Sequence, residues 1–508
     1  MKKHTKNGTR LRVFFIDNEQ KYFKILVVFL LMQPVIDVLT SLGVRYAPGV
    51  LSIGMIVRSI FLLFSIGFIL LYLAYKPGRK SILIYMVVLF GYVVLFFISV
   101  LLNPDLRLMD NVKEMLKIIY FPVTMVVFSL CIDKSKIEKL IGYMVIVFYI
   151  YSFVIFLGSI TKTGFSTYGY LDKGNQGWFY AGNEVSAILS FLIPVSVVVF
   201  LDWIVNKKKL TLVVFSLTGL FLVIFVNIQM GTKALIANTI FILIVYGLIN
   251  VFQYFKKRQL FNILKTAVLL MMVVAIIVGL KYSPMNSNIN TVMNKVDNAI
   301  KTENQTPAIE EKVTETENQT PAIEEKVAET ENQTPPIEEK VAESENETKV
   351  IKGTELSTAQ RNSKIYNIVN ALLSNRLVMA RPHYEAFINS PLLNKAFGIG
   401  YYPEGTKLNK LVEVDILSLL FRQGVIGLVV ILLPYFTGMT KAFSKMLRKH
   451  NKPNIKIFAL GYAVIMTLGF ALITGHVFVA PSVSFFVSLI TVALLRNADE
   501  EGLFQIVK

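Results

Sequence analysis

Long apolar segments recur along most of this chain, and they constrain its fold more than any other feature. A bilayer core of about 30 Å requires about 20 apolar residues in a helix that spans it. Because lipid offers the backbone no hydrogen-bond partners, each long apolar segment is predicted to be a transmembrane α-helix. The segments lie at 23–42, 51–74, 81–102, 115–132, 139–160, 184–204, 210–229, 234–255, 262–281, 424–440, 457–475 and 480–495. The predicted fold is therefore an all-α polytopic membrane protein with about twelve transmembrane helices.

The distribution of basic residues predicts how these helices are oriented. Clusters of Lys and Arg stand at the N-terminus and after every second apolar segment, for example at Lys207–Lys209 and Lys256–Arg258. By the positive-inside rule, that side is the cytoplasm. We therefore expect a multi-pass protein of the cell membrane with both termini in the cytoplasm. The same distribution explains the net charge of +18 and argues against nucleic-acid binding.

Residue types that bind metals through side-chain nitrogen or sulfur are few and scattered. The chain has one cysteine, Cys131, and four histidines, and none of them shows metal-ligand spacing. A single cysteine excludes an internal disulfide and a thiolate metal cluster. We expect neither a metal nor a cofactor.

One hydrophilic loop, at 282–423 between the ninth and tenth predicted helices, is much longer than the others. It contains three copies of a 14-residue repeat, at 302–315, 316–329 and 330–343. Each copy has four Glu and one Lys and few large apolar residues, which is typical of a disordered acidic spacer. We expect this spacer to be dispensable for activity.

The part of the loop after the repeats has a different character. Residues 354–400 carry apolar side chains at helical spacing and are predicted to fold against the membrane domain. The chain is thus predicted to divide into transmembrane helices 1–9 (1–281), the acidic spacer (282–353), a helical extracytoplasmic segment (354–423), and transmembrane helices 10–12 with a tail (424–508).

Polar residues at the membrane edge are costly to place there, so they are candidates for function. Asn183 and Glu184 open the sixth predicted helix, where either can simply cap the helix or face a substrate. Lys233 opens the eighth after a tight turn. The helix macrodipole disfavours a cation at this end, and a bound anion would remove the conflict. The alternative is a lysine that extends to the lipid interface.

The large loop supplies the remaining candidates. Arg376 and Arg381 are suited to gripping phosphate oxygens, although arginines in loops are often simply solvated. Glu413 lies near an apolar boundary, where a carboxylate can act as a general base. Asp415 is a further candidate for substrate binding, and Arg422 is either the ion partner of Glu413 or a phosphate ligand. The alternative is a short interfacial helix that ends at a glycine.

In their order and placement, these motifs resemble those of the superfamily of O-antigen ligases and Wzy-type O-antigen polymerases. The family's Asn-bearing stretch matches Asn183, and its Ser-Arg-Gly-Ala-like turn matches Gly231–Ala234, with Lys233 in place of the usual Arg. Its Ser-Gly-Arg segment matches Ser374–Arg376, and its following Gly-x-Gly matches Gly398–Gly400. The resemblance also includes the large loop after the ninth helix.

One departure from the family pattern separates two branches. The ligases carry a His-Asn-type pair ahead of a Gly-x-x-Gly motif, which matches Gly424–Gly427 here. Glu413 stands where that His would be, and an acidic residue there resembles the polymerase branch. The Lys-rich composition also resembles proteins of low-GC Gram-positive bacteria, which have no lipopolysaccharide to ligate.

The resemblance implies a metal-independent glycosyltransferase that uses an undecaprenyl-pyrophosphate-linked oligosaccharide at the membrane. Lys233 and Arg376, with Arg381 or Arg422, would hold the pyrophosphate, and Glu413 would take the proton of the acceptor hydroxyl. The implied product is a lengthened cell-surface polysaccharide, with a chain-length regulator and a flippase as partners. A ligase for finished glycan, a transporter or flippase of lipid-linked oligosaccharide, and a membrane scaffold are the alternatives.

Overall fold

A computed structural model describes residues 3–46, 52–75, 80–103, 107–169, 173–205, 209–286, 376–403, 406, 408–409, 412–448 and 454–498. These residues form helices and no β-strand, as the sequence predicts. The α-helices are α1 (Lys3–Tyr46), α2 (Ile53–Tyr75), α3 (Lys80–Leu101), α4 (Leu108–Cys131), α5 (Ile137–Ile160), α6 (Gly182–Val205), α7 (Leu210–Met230), α8 (Lys233–Lys257), α9 (Leu260–Gly279), α10 (Arg376–Ile388), α11 (Leu392–Phe397), α12 (Asp415–Arg448), α13 (Ile455–Ile473) and α14 (Pro481–Ala498). The predicted acidic spacer lies almost entirely outside the described residues.

Among the described residues, eleven helices are long and apolar enough to cross a membrane. This confirms the predicted all-α polytopic membrane fold. The twelfth predicted span corresponds to α14, which is a shorter apolar helix. Its side chains, such as Phe485, Leu489 and Val492, are fully buried against α4, α12 and α13. Helix α14 is therefore a central element of the bundle, with neighbours on all sides.

Helix α12 differs most from its predicted bounds. It begins at Asp415 rather than at residue 424, and Gly424 interrupts it with φ 75° and ψ 175°. A residue with a side chain would be strained at this φ, and its Cβ would collide with the Ala396 carbonyl. The break lets the Ile399 N–H reach the Phe421 carbonyl at 3.0 Å. Gly424, the first residue of the tenth predicted span, is thus a kink at which the segment around Ile399 docks onto α12.

A buried ion pair joins α1 and α2. The Arg58 guanidinium contacts the Asp37 carboxylate, and the two side chains are 9% and 13% exposed. Arg58 also donates to Gln33 Oε1 at 3.1 Å, and the Tyr151 hydroxyl on α5 donates to Asp37 Oδ2 at 2.5 Å. Charges inside a membrane protein are costly unless they are paired in this way. The pair therefore fixes α1 and α2 against α5.

Removing one member of this pair should destabilise the protein strongly. Asp37→Leu leaves the Arg58 charge buried and uncompensated, with an expected cost of about 3–5 kcal/mol. The double variant Asp37→Leu/Arg58→Leu should recover most of that loss because no charge remains buried. Thermal unfolding of the detergent-purified proteins measures both effects. A double variant no more stable than the single one would contradict this account of the pair.

Candidate functional site

Several helix termini meet at one end of the bundle, which we call the loop end. Here α5, α7, α9 and α13 end, and α6 and α8 begin. The backbone N–H of Asn175, ahead of α6, donates to the carbonyl of Gln229 at 2.9 Å. Arg376 is the first residue of α10, and its side chain donates to the carbonyl of Ile473 at 3.1 Å. These contacts bring segments far apart in the sequence into one surface.

A cavity of about 580 Å³ opens between α6, α8 and α13 at the loop end. We call it the amphipathic cavity because its two parts differ in chemistry. Its polar part is formed by Asn183, Lys233 and Arg376, three of the predicted site residues. The rest is lined mainly by apolar and aromatic side chains, which are Ala237, Phe241, Tyr462, Met466, Phe470 and Ile473. The structure thus places three of the predicted site residues around one cavity.

The apolar part extends along α8 and α13 into the bundle. Phe241 stands eight residues after Lys233, which is about 12 Å along a helix. The Phe241 side chain is 54% exposed, so the cavity wall opens sideways on the face that a bilayer would cover. The cavity therefore connects a cationic head region with the lipid-facing surface.

Lys233 reaches the cavity through the tight turn that the sequence indicates. Helix α7 ends at Met230, Gly231 adopts a left-handed conformation with φ 59°, and α8 begins at Lys233. A Cβ on Gly231 would collide with Ser283 and Pro284, so the turn requires glycine. Among the described residues, no carboxylate lies within ion-pair distance of Lys233. The ammonium group and the N-terminus of α8 thus place positive charge at the mouth of the cavity.

Arg376 connects the cavity with the predicted catalytic carboxylate. Its Nε donates to Glu413 Oε2 at 2.7 Å, and its Nη1 donates to the Ile473 carbonyl. Arg376 is buried, whereas the Glu413 side chain is 33% exposed. Glu413 therefore lies beside the cavity mouth, open to solvent on one side. Its ion partner is Arg376, so of the two alternatives for Arg422, the one that pairs it with Glu413 is wrong.

Asp415 lies behind this pair and holds the backbone ahead of α14. Its carboxylate accepts three backbone N–H bonds, from His476 at 2.6 Å, Val477 at 2.7 Å and Phe478 at 2.6 Å. Asp415 is 1% exposed and does not line the cavity. The structure therefore gives Asp415 a positioning role in place of the expected contact with substrate. It aligns the segment around Glu413 with the end of α13.

Loss of the Asp415 carboxylate should destabilise the protein more than loss of an exposed one. Each buried backbone N–H left without a partner costs about 1–3 kcal/mol, so Asp415→Ala should cost at least about 3 kcal/mol. Asp110→Ala is the matched control, because Asp110 also lies in the first turn of a helix but is 38% exposed. Thermal unfolding in detergent measures both. Equal stability of the two variants would contradict the positioning role of Asp415.

Arg422 lies away from the cavity and holds together the segment between α10 and α12. It is 2% exposed, and its Nη2 lies 3.1 Å from His383 Nε2 and 3.2 Å from the Leu408 carbonyl. Its guanidinium also covers the ring of Tyr401 at 4.6 Å. Burial and the neighbouring Arg422 charge both lower the pKa of His383, so the neutral imidazole is favoured beside the Arg422 guanidinium. These contacts give Arg422 a structural role that competes with the predicted binding of phosphate.

Arg381 also lies apart from the cavity. It sits on α10 and pairs with Glu385 one turn later, with Nε to Oε1 at 2.8 Å. Both side chains are exposed, at 36% and 55%. The structure therefore gathers Asn183, Lys233 and Arg376 around the cavity, with Glu413 joined through Arg376, and leaves Arg381 outside.

The sequence motifs do not predict two polar residues that lie deeper in the cavity, Tyr462 and Asn238. The Tyr462 hydroxyl on α13 donates to Asn238 Oδ1 at 2.7 Å, and Asn238 Nδ2 donates to the Ser190 carbonyl at 3.0 Å. Asn238 is a polar residue inside the apolar segment 234–255, and its cost in a bilayer is the signal that marks it. The same signal marks Asp37 and Arg58.

The described residues contain no group of three or more His, Cys, Asp or Glu that could hold a metal ion.

Fold and site together define a polytopic helical membrane protein with an amphipathic cavity at its loop end. A family profile described as O-antigen ligase like membrane protein matches residues 19–501, so the chain belongs to this family. The match confirms the resemblance drawn from the motifs. It makes the protein a membrane glycosyl-transfer enzyme of the ligase or polymerase type. No curated protein and no solved structure matched the sequence.

Proposed function

We propose that the protein is a polymerase of a cell-surface polysaccharide, acting at the outer face of the cytoplasmic membrane. It transfers glycan from undecaprenyl pyrophosphate onto a lipid-linked repeat unit. The observation that carries this proposal is the amphipathic cavity, with Lys233 and Arg376 at its head and an apolar wall along α8 and α13. Such a cavity matches a lipid whose head group is a diphosphate.

The apolar wall of the cavity offers a binding surface for the polyprenyl chain of the donor. Phe241, Met466 and Phe470 offer an aromatic and flexible surface on which isoprene units can pack. The opening beside Phe241 lets the lipid enter from the bilayer, so the long chain never has to pass through water. The diphosphate then stops at the mouth of the cavity, where the cations lie.

The cations at the mouth of the cavity stabilise the diphosphate leaving group. Arg376 has more N–H donors than its bonds to Glu413 and Ile473 use, and Lys233 has no carboxylate partner among the described residues. When the glycosidic bond breaks, the electron pair of the C1–O bond stays on the diphosphate oxygen. Negative charge therefore grows there during the reaction, and fixed cations stabilise the transition state more than the ground state.

Glu413 is the base that accepts the proton of the acceptor hydroxyl. The hydroxyl oxygen of the acceptor sugar attacks the anomeric carbon of the donor, and the hydroxyl proton passes to the Glu413 carboxylate. In the structure this carboxylate is paired with Arg376. A diphosphate that draws Arg376 into the cavity weakens that pair and frees the Glu413 carboxylate to accept a hydrogen bond from the acceptor hydroxyl. Binding of the donor thus activates the base.

A ligase that attaches finished glycan to another carrier is the second candidate, because the family is described by its ligases. Glu413 in the position of the ligase histidine is the observation that favours a polymerase. A chain-length regulator and a flippase are the partners we expect for a polymerase.

An in vitro assay separates these functions. The purified protein is incubated with lipid-linked repeat units extracted from cells that lack it. A ladder of products that grows by one repeat unit at a time is the expected result. A single transfer to a different carrier would instead identify a ligase. Movement of labelled lipid across a vesicle without bond formation would identify a transporter.

A further inference from the structure

A second cavity, of about 490 Å³, lies at the loop end on the other side of the turn between α7 and α8. Three lysines line it, Lys162 after α5, Lys173 ahead of α6, and Lys281 after α9. Its other lining residues are mainly polar or glycine, and its described lining includes no Asp or Glu. We call it the lysine pocket. Its chemistry differs from that of the amphipathic cavity, whose wall is largely apolar.

The floor of the lysine pocket is fixed by close backbone packing. The Asn175 N–H bonds to the Gln229 carbonyl, and Asn175 Oδ1 accepts the Gly177 N–H at 2.6 Å. Gly174 adopts φ 85°, and a Cβ there would lie 2.8 Å from Thr167 Oγ1. The segment that carries Lys173 is therefore held against the end of α7. The pocket is a built hollow whose walls come from four separate parts of the chain.

The pocket adjoins the site of transfer. Gln229 lines the lysine pocket, whereas Thr232 and Lys233, directly after the turn, line the amphipathic cavity. Ser283 and Pro284 line the pocket and also pack against Gly231 in that turn. A glycan whose diphosphate end lies at Lys233 would thus have sugars within reach of the pocket.

The lining chemistry indicates the class of ligand. Polar groups surround the pocket, so it suits hydroxylated sugars and disfavours a lipid tail. Lys162 and Lys281 contribute positive charge, and the described lining holds no Asp or Glu to offset it, which favours an anion. Lysine ammonium groups bind carboxylates and phosphates as point charges, without the paired geometry that arginine imposes.

We propose that the lysine pocket binds an anionic substituent of the glycan, a carboxylate or a phosphate on a sugar, and that the polymerised repeat unit is acidic. The inference rests on the proposed function, since it needs the glycan at the loop end. It goes further in assigning a substrate class and a second binding site, which selects glycans by charge.

Binding of model oligosaccharides to the full-length protein in nanodiscs tests this. The probes are tetragalacturonate, its fully methyl-esterified form, and a glycerol phosphate tetramer, so that carboxylate and phosphate sources are distinguished. We expect at least one charged probe to bind at least ten-fold more tightly than the neutral ester. The variant Lys162→Gln/Lys173→Gln/Lys281→Gln should lose that preference. The matched control is Lys139→Gln/Lys209→Gln/Lys256→Gln, which changes three exposed lysines at the opposite end of the bundle and should keep it.

Three outcomes would overturn the proposal. The first is equal affinity for the charged and neutral probes, and the second is an unchanged preference in the pocket variant. The third is binding that appears only after deletion of 302–343, which would assign the pocket to the chain's own acidic repeats. Lys233→Ala separates this inference from the proposed function, since it should abolish glycan transfer and leave binding of the charged probe intact.

Discussion

Glu413→Gln should abolish the formation of long glycan while the protein remains inserted in the membrane at normal levels. Glutamine keeps the size and polarity of the side chain but does not accept a proton from the acceptor hydroxyl. Loss of general-base catalysis typically costs about 100- to 10,000-fold in rate. The ion pair with Arg376 is also lost, but the glutamine Oε1 still accepts a hydrogen bond from Arg376 and residue 413 is 33% exposed, so the protein should remain folded.

The kinetic pattern distinguishes a base from a positioning residue. A base predicts a fall in kcat with little change in the KM for the lipid-linked donor. A residue that only holds Arg376 predicts a higher KM for the donor and a nearly normal kcat. Glu385→Gln is the matched control, because this glutamate also pairs with an arginine, Arg381, but lies outside the cavity. Full-length polymer made by Glu413→Gln at the normal rate would remove Glu413 from the mechanism.

Gly469→Leu should block the amphipathic cavity without unfolding the protein. Gly469 lines the cavity on α13, and a Cβ built there meets no atom within 4 Å. The leucine side chain therefore enters open space that we assign to the polyprenyl chain. Leucine also has a higher helix propensity than glycine, so the helix itself should tolerate the change. We expect the KM for the donor to rise at least ten-fold, which corresponds to about 1.4 kcal/mol of lost binding.

The matched control for this substitution is Gly142→Leu. Gly142 lies inside α5, and its Cβ also meets no atom within 4 Å, but it does not line the cavity. This variant should retain normal activity and stability. Normal donor affinity in Gly469→Leu would mean that the lipid does not occupy the space between α8 and α13.

The apolar segments predict most of the fold because bilayer thickness and backbone hydrogen bonding leave few alternatives. They do not predict that α14 is buried at the centre, since a lipid-facing helix and a helix inside the bundle are equally apolar. The extension of α12 back to Asp415 also escapes them. Its first turns are amphipathic and dock on the segment that follows α11, through contacts such as that between Ile399 and Phe421, which the apolar pattern does not encode.

Part of the site follows from the sequence and part does not. Lys233 is recognisable because a tight turn places a cation at a helix start, and Arg376 is recognisable by its resemblance to a family motif. Asp415 and Arg422 show the limit of such reasoning. Both are charged residues near an apolar boundary, but their partners are backbone groups and a histidine that only the folded chain brings near. A buried charge can equally bind a ligand or hold the chain, and the sequence does not distinguish the two.

Photo-crosslinking tests most directly whether the amphipathic cavity binds the lipid-linked donor. A polyprenyl diphosphate with a photoreactive group in its first isoprene units is bound to the purified protein, and the modified residues are identified by mass spectrometry. We expect adducts on Phe241, Met466 or Phe470, which disappear when unlabelled undecaprenyl pyrophosphate competes. Competed adducts on the membrane-facing groove of α9, at Leu270, Val274 or Val278, would contradict binding of the donor in the amphipathic cavity.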